Sequence, residues 1–247
     1  VAIIDADAVR SHLIGVAAQL DALVGDGDSP YLEAANAAQA EFERATRILV
    51  EPRTIRMNPD GTEAYDVEED PLTLRKMNSA RPPRWQLRRR PVIELLSCRF
   101  EFSSANRVLS WNPSNLRVNK HLGIVTLVPF TNLTVGAAGA SVYWAVMGTG
   151  TWPGDVIPQF VCIDYRAGYT DAATNPDLAD LRRALANRAA LEVLQRAIRV
   201  LPNSDSLDGF SQQFTSVERQ VELMGQEWAA FLSAYQRRER PLVAGVL

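Results

Sequence analysis

The side chains able to do proton, thiol or metal chemistry here are few: His12 and His121, Cys98 and Cys162, and an acidic run at 66–70. A histidine beside a cysteine can activate a thiolate nucleophile, and His121 with Cys98 is the one pairing to weigh. Cys98 falls on the apolar side of an alternating stretch, "PVIELLSCRFEF", where a thiol is inert. His12 lies on an amphipathic helix, a position that suits a surface or core-edge role. The acids of "DVEED" lack the glycine and the alternation that a hard-cation loop needs, so they read as a solvated face. "GTGTWPG" is rich in glycine, yet a proline and a strand follow it rather than a helix whose N–H groups could meet a phosphate. No cofactor or metal is expected, and the chain reads as a non-enzyme.

A second kind of chemistry is electrostatic. Residues 1–70 hold 5 basic and 15 acidic side chains, whereas residues 71–120 hold 11 basic and 2 acidic. The basic excess centres on "RPPRWQLRRRP", where Arg84, Arg88, Arg89 and Arg90 surround Trp85. Arginines interleaved with an aromatic can hold phosphates and stack on bases. Read as a proline-bounded linker, the segment has three uses: contact with DNA, contact with a neighbouring subunit, or plain solvated charge. Neither a helix-turn-helix nor a zinc-finger pattern supports sequence-specific reading.

These residues must be carried by a framework, and its pattern is α+β. The expectation is a bundle of two N-terminal and two C-terminal helices with a large antiparallel β-block inserted between them. In numbers, this is helices over 1–52, a β-rich insert over 53–170, helices over 171–235 and an arm over 236–247. Asp5 or Asp7 caps a first helix running to Leu23. Ser29 followed by Pro30 starts a second, which stops before Pro52. "RTIRM" and "EAYDVEED" flank "NPDG" as a hairpin, and short strands continue to "QFVCIDY". Asn175 caps the next helix with Pro176 in its first turn, and Thr215 with Glu218 forms a capping box for the last.

Charge and hydropathy exclude a membrane role. No signal peptide is expected in the opening residues, and no run of about 20 apolar residues is suited to a bilayer. Two cysteines outside any Cys-x-x-Cys pair point to a reducing site of folding.

The segment "IDYRAGYTDAATNP", closing a strand and opening a helix, is the most distinctive in the chain. Gly168 permits a positive φ, and Tyr165 and Tyr169 can bury their rings while keeping their hydroxyls paired. With "RRPVIEL", "NPSNLRVNKHLGIVTLVP" and the opening "YLEAANAAQAEFERATRIL", the order of motifs resembles the head–tail connector (adaptor, or head-completion) proteins of tailed bacteriophages. The turn positions of that family correspond here to Tyr165, Gly168, Tyr169 and Pro176. The resemblance covers about residues 5–200 in short, degenerate motifs, and a corner in an unrelated α+β protein would use the same residue types. The uncharged segment 122–154 and the helix and tail beyond Leu201 depart from the simplest family pattern.

What the resemblance implies is a structural virion protein of the neck, between capsid and tail, assembled in the host cytoplasm. It implies a homo-oligomeric ring, usually of twelve copies, that binds the portal protein and offers its other face to a tail, stopper or tail-terminator protein. DNA passes through such a ring without sequence-specific contact. On this reading Tyr143, Trp144 and Trp152 are interface candidates, although burial in the monomer suits them equally. Arg237, Arg238, Arg240, Pro241, Leu242 and Val243 form a candidate portal-docking arm. A non-specific nucleic-acid-binding protein using residues 81–90 is the alternative from another class, and a small enzyme around His121 the third.

Overall fold

The computed structural model describes residues 3–13, 27–75, 84–103, 106–127, 156–200 and 211–238. The fold is α+β, and the chain divides into two compact units: residues 1–50 with 171–247, and residues 51–170.

The first unit is helical. Helix α1 spans Ala6–Ser11 and is capped by the Asp5 carboxylate, which accepts from the Ala8 N–H at 2.7 Å. The rest of the expected first helix, 14–23, lies outside the described residues. Helix α2 spans Ser29–Thr46 and has Pro30 in its first turn. Its N-cap is Asp28 rather than Ser29, and the Asp28 carboxylate makes no capping bond because it is engaged by Arg10 at 2.8 Å. The helix ends at Thr46, earlier than Pro52 would require, because Arg47 adopts a left-handed φ of 62°. Ile48, Leu49 and Val50 continue as buried non-helical chain.

Helix α3 spans Ala179–Val200 and α4 spans Ser211–Arg238. A 3₁₀ turn, Pro176–Leu178, leads into α3, and the Asn175 side chain caps it by accepting from the Asp177 N–H. Helix α4 begins four residues before Thr215, which is therefore interior to the helix and not its cap. Helix α2 packs on α3 and α4, and α1 on α2 and α3. Ala34, Ala35 and Ala38 of α2 and Ala186, Ala189 and Ala190 of α3 are buried, and side chains this small let helix axes approach closely. Phe42 fills the other end of the seam, with its ring edge-on to Tyr235 at 5.4 Å. Glu41 ties three helices together. Its carboxylate accepts from Arg188 of α3 at 2.7 Å and from the Trp228 indole N–H of α4 at 2.9 Å.

The second unit holds nine described strands: β1 (Arg53–Met57), β2 (Val67–Glu69), β3 (Leu72–Arg75), β4 (Arg84–Gln86), β5 (Val92–Ser103), β6 (Asn106–Trp111), β7 (Leu116–Asn119), β8 (Ile124–Leu127) and β9 (Val156–Ala167). They form two sheets. The larger runs β2-β1-β9-β5-β6, with β3 also pairing to β9, and the smaller runs β4-β8-β7. The small sheet turns Trp85, Leu116, Val125 and Leu127 inward, and the Trp85 ring lies 6.2 Å from that of Phe100 on β5.

The insert is mixed rather than wholly antiparallel, which corrects the hairpin expected at "NPDG". Strands β1 and β2 are parallel, with Ile55 opposite Val67. The loop between them does not reverse the strand but returns to its start. Asp66 fastens that return, because its N–H donates to the Thr54 carbonyl at 2.9 Å and its carboxylate accepts the Thr54 N–H at 2.7 Å. A return this short is tolerable because β2 is only three residues long.

Candidate functional site

Strand β9 is the axis of the β unit, and it carries both the corner and a buried charge cluster. It pairs with β1 and β3 along one edge and with β5 along the other. Alternate residues therefore face opposite sides of the sheet.

On one side lies Tyr165, fully buried. Its hydroxyl donates to the Glu69 carboxylate at 3.0 Å and accepts the Arg89 N–H at 3.1 Å. Burial, with the Glu69 carboxylate beside it, holds the phenol far above its usual range, so it stays neutral and able to donate. Burial also raises the Glu69 carboxyl above its ordinary 4.5, against the lowering effects of Tyr165, Arg89 and Arg88. Two residues beyond Ala167, the last of β9, the chain has already passed through Gly168 at φ +124°. The Gly168 N–H donates to the Pro91 carbonyl at 2.9 Å. A Cβ at Gly168 would overlap the Glu51 carbonyl group and stand 2.8 Å from Pro52 Cα. The start of the β unit at Glu51 and Pro52 and its exit at Gly168 thus lie backbone against backbone, with no room for a side chain. Tyr169 is half-buried and Pro176 exposed at the head of its 3₁₀ turn.

On the opposite side, Asp164 is completely buried. Its carboxylate accepts from Arg99 in a very close contact, from Ser97 Oγ at 2.6 Å, from the Met57 N–H at 2.9 Å and from Arg56 at 3.2 Å. Arg99 reaches on to the Met57 carbonyl at 2.9 Å. Glu101, also buried, accepts from Asn58 at 3.2 Å and from Arg107 at 3.4 Å. Each buried charge has several partners, as burial of ions requires. The alternation in "PVIELLSCRFEF" separates Arg99 and Glu101 from Cys98 and Phe100 as expected, but both sides are covered from Cys98 to Glu101, whereas Phe102 is half exposed.

The thiols are unsuited to nucleophilic chemistry. Burial pushes Cys98 up to about 12 and Cys162 higher still. The fully buried Cys98 cannot form the activated dyad weighed with the exposed His121. His12 borders a groove of about 620 Å³ in the helical unit, which Arg183, Asn187, Glu227 and Trp228 also line. Burial and then Arg183 lower its pKa, leaving it neutral at pH 7. Among the described residues no cluster of three or more His, Cys, Asp or Glu side chains is placed to hold a metal ion, and no helix is long and apolar enough to cross a membrane.

The basic segment is not a linker. Arg84, Trp85 and Gln86 form β4, and Trp85 is 5% exposed, so its indole packs inward and offers no stacking platform. Arg88 pairs with Asp70 at 3.2 Å and Arg89 with Glu69 at 3.5 Å. Two acids of the run read as solvated therefore staple the arginines that follow. Arg90 also interacts within the chain. Arg84 is exposed. Arg81, Tyr143, Trp144, Trp152, Arg240, Pro241, Leu242 and Val243 lie outside the described residues, as do the side chains of Arg237 and Arg238. The Asp164–Arg99 cluster was missed at the sequence level. Its only signal there is charge at every second position of a β-run, which more often marks a wet face.

No family model matches the chain, and no curated protein does. Two solved structures are similar to it over 85% of this chain and 88% of theirs. One is a chain of the neck of an empty gene transfer agent particle with C6 symmetry, 17% identical with a TM-score of 0.38. The other belongs to the virion of the native gene transfer agent particle, 17% identical with a TM-score of 0.37. Likeness at this level decides nothing about role.

Proposed function

We propose that this chain is a structural neck protein of a tailed-phage-like particle, acting as an adaptor between portal and tail. The observation that carries the reading is the corner. Gly168 brings the exit of the β unit against its start at Glu51 and Pro52, and Gly168 is one of the positions that carry the resemblance to the connector proteins. A β unit whose exit is clamped to its own start, carried in one chain with a helical unit formed by both ends of the sequence, suits repetition side by side. Identical copies joined head to tail close into a ring when the rotation closes. Twelve copies, portal docking through residues 236–247 and a lower face for a stopper or tail-terminator complete the proposal. The protein performs no reaction on this reading: its thiols are held protonated and its buried carboxylates are committed to structural pairs.

Native mass measurement tests the reading. The purified chain, alone and mixed with the portal protein of its own particle, is expected to give a closed oligomer in at least the mixture. A chain that stays monomeric in both samples contradicts the proposal.

A further inference from the structure

The outer face of the small sheet presents a cationic row that the functional reading above does not use. In register, Arg84 of β4 stands opposite Thr126 of β8, and Thr126 stands opposite Arg117 of β7. One step along, Gln86, Ile124 and Asn119 form a second row on the same face, since side chains two apart share a side. Arg84, Gln86, Arg117 and Asn119 are exposed, and Lys120 follows directly in the turn after β7. No Asp or Glu occurs in 84–90 or in 113–127. Among the described residues, Arg84, Arg117 and Lys120 make no ion pair, whereas Arg88 and Arg89 are neutralised by Asp70 and Glu69. The uncompensated charge is therefore on β4 and β7, not on the Arg88–Arg90 triplet that dominates the sequence.

We propose that this sheet face, centred on the Arg84–Thr126–Arg117 row with Lys120 at its edge, binds the phosphate backbone of duplex DNA. Two inter-strand spacings place the arginine backbones roughly 9–10 Å apart. Long side chains at that separation converge on one phosphate over the Thr126 hydroxyl or take neighbouring phosphates of one strand. Gln86 and Asn119 add neutral donors of the kind that position a protein on a backbone without reading bases. A protein partner would call for an apolar, aromatic centre, and this face has only the half-buried Ile124. Polar, positively charged faces are those of protein–DNA contacts. The inference takes its polyanion from the neck reading, in which packaged duplex passes the ring.

The test is fluorescence anisotropy of a short labelled duplex of arbitrary sequence, titrated with the full chain at low and moderate salt. Arg84→Ser/Arg117→Ser is compared with the parent and with Arg219→Ser, which removes an exposed charge from α4. The double variant is expected to lose about tenfold or more in affinity, with the slope of log K against log salt reduced by about 2, while Arg219→Ser matches the parent. Both replaced arginines are exposed, so an unchanged circular dichroism spectrum is expected, and Lys120→Ser gives a second, milder loss. Affinity unchanged in the double variant, or no binding by the parent at low salt, overturns the inference. So does a double variant that binds DNA normally but no longer oligomerises, because the face is then a subunit contact. Portal-dependent assembly, read separately by mass, tells failure of this inference from failure of the neck reading.

Discussion

Gly168 and Pro52 lie so close that a Cβ on the glycine would stand 2.8 Å from the proline Cα, with the Glu51 carbonyl closer still. The φ of Gly168, +124°, is one that residues with a side chain resist. Strain and overlap therefore act together at the point where the β unit closes on itself.

Gly168→Ala is accordingly expected to destabilise the protein by about 3 kcal/mol or more in urea unfolding. Gly61→Ala separates the two causes, since Gly61 has a φ of +84° but nothing within 4 Å of its Cβ position. Strain alone should cost it about 1 kcal/mol. Gly225→Ala, inside α4 with open space around it, should stabilise by about 0.5–1 kcal/mol. Equal losses at Gly168 and Gly61 would mean that the approach of Glu51 does not matter.

Removing the Tyr165 hydroxyl should be costly without changing packing. Tyr165→Phe leaves the buried Glu69 carboxylate without its phenol donor and the Arg89 N–H without its acceptor. A loss of about 1–3 kcal/mol is expected by thermal or urea unfolding. A loss much below 1 kcal/mol would show that the bridge is replaced by water.

Glu69 also makes a pH signature. Its folded-state pKa is raised above 4.5 by burial, so between those two values the folded chain binds more protons than the unfolded one. The Glu69 contribution to stability therefore falls as pH rises from about 4.5 through the folded value. Unfolding free energies of the parent and Glu69→Gln, measured from pH 4 to pH 7, should differ by a quantity that moves against the parent as pH rises. A difference that is flat, or that moves the other way, contradicts the raised pKa.

Asp164 is the hub of the cluster on the other side of β9. Asp164→Asn removes the closer of two buried carboxylates from Arg99, leaving Glu101 at 3.5 Å, and weakens the links to Arg56, Ser97 and Met57. Breaking a buried pair from one side costs about 3–5 kcal/mol. Urea unfolding should register that loss, and a variant as stable as the parent would mean that water reaches Arg99.

The arm makes a functional prediction. Truncation after Arg238 spares Gln236, whose side-chain N–H donates to the Ala45 carbonyl at 3.2 Å. Helix content should then be kept while portal docking weakens in a pull-down. Docking equal to that of the full chain removes Arg240, Pro241, Leu242 and Val243 from the account.

Local chemistry was the legible part of this fold. Asn175 with Pro176 acts through groups within two or three residues, and the sequence shows those directly. Gly168 was legible as a positive-φ turn, but not the approach of Glu51 and Pro52 that makes it irreplaceable. Partners distant along the chain were not legible. Asp28 is drawn from its cap by Arg10, and "NPDG" yields to the parallel return that Asp66 fastens to Thr54. The alternation of charge in β5 separates two sides of a strand but does not say what covers each. Arg99 and Glu101 are buried because Asp164 and Asn58 come from elsewhere in the chain. The arginine cluster misled for a related reason: Arg88 and Arg89 are spoken for by Asp70 and Glu69, and Trp85 turns inward to Phe100.

Imaging the purified particle neck by electron cryomicroscopy tests the central claim most directly. The account predicts density for a helical unit and a β unit of this chain repeated around the DNA channel, between portal and tail. Necks in which that collar is built entirely by other polypeptides would contradict it.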